Sequence, residues 1–184
     1  MTVRQRKPIR VKNYDYSRNG VYYITICSVD RKEIFGELKN NVGAGLASAR
    51  KNIELSKIGE IVNNQWNDIP NKYSHVKLDK YIIMPNHIHG ILVIDNNGID
   101  KREDARPSPT ISDIICSFKL KCAVEYLQYI KDNNLDVSGR IWQRGYYDKI
   151  ICGDTSLERI RKYISRNTLA WQDDEDNLSQ VADS

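Results

Sequence analysis

The chain has 184 residues, 40% of them hydrophobic, and a formal net charge of +4, which suits one domain with a sizeable core and leaves little room for a second. No apolar run approaches the roughly 20 residues of a membrane span, and the first residues lack the apolar core of a signal peptide, so the sequence reads as cytoplasmic with no membrane partner. The four cysteines, Cys27, Cys116, Cys122 and Cys152, make neither a C-x-x-C pair nor a compact disulfide framework and read as buried free thiols.

Residues 1–13 are read as a basic arm. Arg4, Arg6, Lys7, Arg10 and Lys12 stand there without an acid, a composition that suits a phosphate backbone as well as it suits a merely solvated terminus. Residues 14–172 form the single expected domain. Residues 173–184, with five acids and no base, read as a disordered acidic tail. Without that tail the chain carries +9, a balance that favours a polyanionic partner such as nucleic acid.

Val21–Val29 is rich in β-branched and aromatic residues and predicts the first strand. Residues 30–50 are loop-like and can accommodate a short hairpin. Ser56 is placed to cap a helix whose apolar positions Ile58, Ile61, Val62, Trp66 and Ile69 recur at helical spacing, with Pro70 marking its end. Two strands follow, Val76–Met84 and His87–Ile94, joined at Pro85-Asn86; both are apolar enough to lie centrally in a sheet. Asn96-Asn97-Gly98 predicts a turn, and residues 99–109 a surface excursion.

Thr110 and Asp113 have capping-box spacing and open a helix with the seam Ile111, Ile114, Ile115, Phe118, Cys122 and Tyr126, which leaves Lys119 and Lys121 off the seam. Arg140 to Ile151 mixes basic with aromatic residues in a last strand or extended loop, so Arg140, Arg144 and Lys149 are candidate phosphate contacts or parts of an ordinary edge strand. Asp154 is expected to cap a final helix running to about Trp171, with the stripe Leu157, Ile160, Ile164, Thr168 and Trp171. The order strand, helix, strand, strand, helix, strand, helix implies an α+β fold, an antiparallel sheet with helices on one side.

The chemistry gathers around His87 and His89. Alternate residues of a strand share a face, so the two imidazoles stand side by side while Ile88 turns away, an arrangement that can grip one metal ion. In the final helix, Tyr163 and Asn167 are i and i+4 neighbours at the edge of the core stripe. If that edge faces the histidine strand, Asn167 can add an oxygen ligand and Tyr163 can reach a phosphate held by the ion. A tyrosine is a sensible nucleophile when phosphodiester energy must be conserved, because a phenolate also leaves readily in the reverse step. Nitrogen and oxygen ligands with open positions fit Mg²⁺ or Mn²⁺ and do not exclude zinc. On spacing alone Tyr129 with Asn133 is an equal rival. His75, at the start of the preceding strand, reads as structural.

Three ordered segments carry a resemblance. Met84-Pro-Asn-His-Ile-His-Gly-Ile-Leu92, Trp142-Gln-Arg-Gly-Tyr-Tyr-Asp-Lys-Ile-Ile151 and Arg159-Ile-Arg-Lys-Tyr163-Ile-Ser-Arg-Asn167 together resemble the REP-associated tyrosine transposases, single-tyrosine insertion-sequence transposases of the His-hydrophobic-His endonuclease superfamily. Asp15-Tyr-Ser17, Gly20 to Cys27 and Phe35-Gly36 are similar to the opening of such proteins, so the likeness spans residues 14–171. It implies a ferredoxin-like or RRM-like palm and cleavage of single-stranded DNA near hairpins through a 5′-phosphotyrosine intermediate, with a divalent metal. It also implies His87 and His89 as the metal pair, Tyr163 rather than Tyr129 as nucleophile, Asn167 as the third ligand, and a basic arm that helps to hold a DNA hairpin. The family commonly continues its last motif with Asn-Pro; here Thr168 follows Asn167. The rival class is an RRM-like binding module without catalysis, for which Tyr22, Tyr23 and Tyr81 would be the stacking aromatics. A rolling-circle nickase would share the histidine pair but needs fused segments for which this length leaves no space. The oligomeric state is left open between monomer and homodimer.

Overall fold

The structure, a computed structural model, describes residues 18–40, 51–97 and 109–168. The basic arm, nearly all of the 99–109 excursion, the acidic tail and the expected helix end at Trp171 lie outside the described residues.

Strand β1 (Gly20–Cys27) alternates its side chains between two buried faces, as its run of tyrosines and β-branched residues requires. A hairpin of β2 (Gly36–Asn40) and β3 (Lys51–Leu55) follows as a separate two-stranded sheet. Helix α1 (Lys57–Asn67) opens at Ser56, whose side chain accepts a hydrogen bond from the Gly59 amide, and buries Ile61, Val62 and Trp66. Pro70 does not end that helix. Asn67 does, and Pro70 sits in the first turn of the short α2 (Ile69–Lys72), where its missing N–H costs nothing.

Strands β4 (Val76–Met84) and β5 (His87–Ile94) have the bounds that the sequence predicts. The turn between them is fastened from two sides: Pro85 O accepts from the Phe35 amide at 2.9 Å and Asn86 O from that of Ser28 at 2.8 Å. Helix α3 (Ile111–Asp132) carries the full capping box at Thr110 and Asp113 and buries the predicted seam. After β6 (Tyr147–Ile151), helix α4 (Asp154–Arg166) is shorter than expected and is capped by Gly153, at φ 79°, with Asp154 as its first residue.

The main sheet has the order β4-β5-β1-β6 and every neighbouring pair is antiparallel. The α+β class is the expected one, but the helices do not keep to one side. One face of the sheet, carrying Tyr22, Ile24, Ile26, Ile88, Leu92 and Ile94, packs with α1 and α3 into the larger core. The other face, carrying Tyr23 and Ile91, packs against Ile160 and Ile164 of α4. The sheet is therefore sandwiched, and each fully buried Ile or Leu contributes about 1.5–3 kcal/mol by leaving water. Gly90 is forced by this packing: a Cβ there would stand 2.3 Å from Cζ2 of the buried Trp66. Among the described residues, no helix is long and apolar enough to cross a membrane.

Candidate active site

Period-two alternation puts His87 and His89 on the α4 side of β5, with Ile88 in the larger core. The imidazoles lie with ring centroids 4.3 Å apart and planes at 60°. His89 is fully buried and His87 nearly so. Burial pushes the His87 imidazole down to about 3, aided by the positive charge of Arg31. Burial also holds His89 well below the usual histidine range, with the charge of His87 adding to the effect. Both rings are therefore neutral near pH 7, the form that offers a lone pair to a metal.

Each ring has one nitrogen engaged by its own support. His87 Nδ1 meets Asn86 Oδ1 at 2.7 Å, so it carries the proton and Nε2 holds the lone pair. His89 Nδ1 lies 2.8 Å from the Tyr23 hydroxyl and 3.0 Å from that of Thr25, while its Nε2 faces the Tyr163 hydroxyl at 3.3 Å. The Tyr163 ring packs edge-on to His89, with centroids 5.3 Å apart. Asn167, at the C-cap of α4, is 1% exposed, and neither its side-chain oxygen nor its nitrogen finds a hydrogen-bond partner among the described residues.

A buried amide without a partner is costly, and it stands four residues along the helix from a phenol that touches an imidazole. Two neutral imidazoles and such an amide fit a divalent cation that keeps open positions and its full charge for an anion. Among the described residues, no cluster of three His, Cys, Asp or Glu side chains is placed to hold a metal. The four cysteines are free, but only Cys122 is buried; Cys116 and Cys152 are exposed, contrary to the burial expected of them, because Cys116 falls off the buried seam of α3 and Cys152 lies just past the end of β6.

Helix α4 is aimed by a charged contact as well as by its apolar stripe. Asp79 sits where the register of β4 shifts, between Leu78 and Tyr81, and its carboxylate accepts from Nε of Arg161 at 3.1 Å and from Nη2 at 2.5 Å. Arg161 is two residues from Tyr163. Arg159, Lys162 and Arg166 point outward, as the helical angles predict.

The remaining candidates divide. Lys149 pairs in register with Tyr23 and so shares the histidine face. Arg140 and Arg144 are exposed, and the turn that holds Arg144 is fastened to the end of β1 through Gln143 N to Cys27 O at 3.0 Å. Lys119 and Lys121 are drawn into the fold instead. Lys119 donates to Gln143 O and Gly145 O at 2.8 Å each, and Lys121 pairs with Asp68 at 2.8 Å. Arg4, Arg6, Lys7, Arg10 and Lys12 lie outside the described residues. Tyr129 packs against the larger core, stacked on Tyr126 across the sheet from the histidines, which separates it from them. His75 is buried beside Tyr73, in keeping with a structural role. Tyr22 and Tyr23 are buried under helices and Tyr81 bonds to Asn63 and Asn67, so these three do not form the open stacking platform that a binding-only module needs.

Asn86, Thr25 and Arg161, and the place of Tyr23 beside His89 rather than on a stacking platform, are the contributions that sequence reasoning passes over. Asn86 adjoins the histidine pair and could have been found there; the others depend on strand register or helix docking.

The family model described as "Transposase IS200 like" matches residues 19–167. An uncharacterized protein of Haemophilus influenzae is 29% identical over 180 residues, covering 94% of this chain and 93% of its own. Among solved structures, a Deinococcus radiodurans R1 protein aligns with a TM-score of 0.45 at 15% identity, over 85% of this chain and 95% of its own. A REP-associated tyrosine transposase bound to a REP hairpin aligns with a TM-score of 0.49 at 13% identity, over 87% of this chain and 73% of its own.

Proposed function

The chain belongs to the IS200-like transposase family, and from that premise we propose that it is a metal-dependent endonuclease and strand transferase acting on single-stranded DNA near hairpins. In this reading His87, His89 and Asn167 hold a divalent cation, Mg²⁺ or Mn²⁺, and Tyr163 is the nucleophile. The observation that carries it is the 3.3 Å approach of the Tyr163 hydroxyl to His89 Nε2, beside a second imidazole and a buried amide without a partner.

The Tyr163 hydroxyl gives up its proton to solvent as its oxygen attacks the scissile phosphorus, the bond to the 3′-oxygen of the preceding nucleotide breaks, and that oxygen leaves as a free 3′-hydroxyl by taking up a proton from solvent. The phosphate stays on the 5′ end of the downstream strand as a phosphotyrosine, whose ester energy is available for rejoining. A bound cation would polarise the phosphate and offset its developing charge. The protein's own part is positional. The sheet sets the imidazoles, the apolar stripe of α4 sets the phenol against them, and the Asp79–Arg161 contact fixes the pitch of that helix. Lys149 on the histidine face, exposed Arg140 and Arg144, and the basic arm are suited to the strand's phosphates.

The test is to incubate the purified chain with a single-stranded hairpin oligonucleotide and Mg²⁺ or Mn²⁺ and look for a complex that survives denaturation. Tyr163→Phe should abolish it while DNA binding persists. An undiminished adduct in that variant removes Tyr163 from the chemistry, and metal-independent DNA binding with no adduct under any condition would favour a binding module.

A further inference from the structure

Two hydroxyls converge on the nitrogen of His89 that points away from the nucleophile. Thr25 pairs directly with His89 across β1 and β5, and Tyr23, two residues back on the same face, reaches the same Nδ1 atom. All three side chains are at least 98% buried, so water does not substitute for either oxygen. The Tyr23 ring also lies nearly parallel to the imidazole, at 26° with centroids 5.5 Å apart, and presents an edge contact to Tyr163 at 6.4 Å.

We propose that Tyr23 and Thr25 are positioning residues that fix the ring plane and the tautomer of His89, keeping its proton on Nδ1 so that the Nε2 lone pair faces Tyr163 and the cation. This rests on the reading of His87, His89 and Asn167 as cation ligands. A neutral imidazole has one N–H and one lone pair, so a ring that ligates through Nε2 must donate from Nδ1. Two oxygens within bonding distance of Nδ1 give that proton an acceptor whichever way either hydroxyl rotates. With both oxygens removed, the ligating tautomer would bury an N–H without a partner, a costly state. The other tautomer would still donate from Nε2 to Tyr163, and it cannot bind a metal there. Deleting the pair therefore moves the ring toward the form that does not ligate. The stacked Tyr23 ring persists as Phe, which separates the role of its oxygen from that of its packing.

The two oxygens also act as each other's reserve. Either single deletion leaves one acceptor, so Tyr23→Phe and Thr25→Val should each weaken Mn²⁺ binding less than the double variant does. The double variant should lose about 10–100-fold, the range seen when the supporting partners of metal-bound histidines are removed.

The experiment uses the full chain labelled with ¹⁵N-histidine. Long-range ¹H–¹⁵N spectra in chelator report the His89 tautomer, and Mn²⁺ titration followed by electron paramagnetic resonance reports affinity, for wild type, both single variants, the double variant and His89→Ala. The expected result is a proton on Nδ1 in wild type, a shift toward Nε2 in the double variant, and a fall in its Mn²⁺ affinity. A folded double variant with wild-type tautomer and affinity overturns the inference, provided that His89→Ala loses the metal. Undiminished Mn²⁺ binding by His89→Ala brings down the cation reading itself and the inference with it. If the double variant does not fold, the single variants decide through the environment of the His89 Nδ1 proton: a displaced Nδ1–H resonance in Thr25→Val or Tyr23→Phe, with the proton still on Nδ1, supports the role, and an unmoved resonance in both overturns it.

Discussion

Replacing Asn167 by Leu separates the cost of a buried amide from its use. The side chain is 1% exposed and neither polar atom has a partner among the described residues. A buried polar group left without a hydrogen bond costs about 1–3 kcal/mol, and leucine keeps the branched shape without that cost, with methyl groups, somewhat bulkier, where the amide oxygen and nitrogen stood. In chelator the variant should therefore be more stable than wild type by about 1–3 kcal/mol. For a chain of this size each kcal/mol moves the midpoint by about 2–4 °C, so the rise should be about 2–12 °C. Metal should reverse the order. A cation that binds only the folded state stabilises it by about 2.7 kcal/mol at a hundredfold excess over its dissociation constant, and the variant, short of one ligand, should show a much smaller gain. Calorimetric melts in chelator and across a Mn²⁺ series read both effects. A variant that melts lower than wild type in chelator and keeps the full Mn²⁺ shift would refute the reasoning, because the amide would then be satisfied within the protein and would not face the cation.

Four further outcomes follow from the same geometry. Tyr163→Phe should bind Mn²⁺ more tightly by up to about fivefold in calorimetric titration, since the hydrogen bond of about 1 kcal/mol from the phenol to His89 Nε2 no longer competes with the ion. Gly90→Ala should lose about 1–3 kcal/mol in urea unfolding, because the new methyl meets the rigid ring of Trp66. In the metal-free protein the folded pKa of His87, about 3, lies below the ordinary value of 6.5 that the unfolded chain shows, so its contribution to stability is complete above about pH 6.5 and is lost as pH falls toward 3. His87 alone should lower the urea-derived stability by about 2 kcal/mol at pH 5 relative to pH 8, and His87→Gln should flatten that slope. Asp79→Asn, which removes the charge that fixes Arg161, should slow adduct formation several-fold while weakening Mn²⁺ binding less than Asn167→Leu does, as gel kinetics beside a metal titration would reveal.

Several elements were legible because their signal is local. Val76–Met84 and His87–Ile94 stand out as apolar runs around Pro85-Asn86. The α3 seam from Ile111 to Tyr126 repeats at helical spacing, and its capping box is written in Thr110 and Asp113. The start of α4 is legible only to within a residue, because a glycine cap at positive φ leaves no side-chain signature and Asp154 beside it has the chemistry of a cap. Lys119 and Lys121 look like free cations in a linear reading. Their partners, Gln143 O, Gly145 O and Asp68, are 24, 26 and 53 residues away.

The amino-acid order by itself determined that His87 and His89 share a face, that Tyr163 and Asn167 share a helical ridge, and that the fold is α+β, because backbone geometry imposes periods of 2 and 3.6 on any strand or helix. That these two faces meet was decided only in three dimensions. The register of β1 on β5 sets Thr25 opposite His89, and the docking of α4 on the second face of the sheet, held by Ile160, Ile164 and the Asp79–Arg161 contact, brings a phenol 74 residues away to the imidazole. Periodicity says which way a side chain points along its own element; packing and register between distant elements choose what it points at.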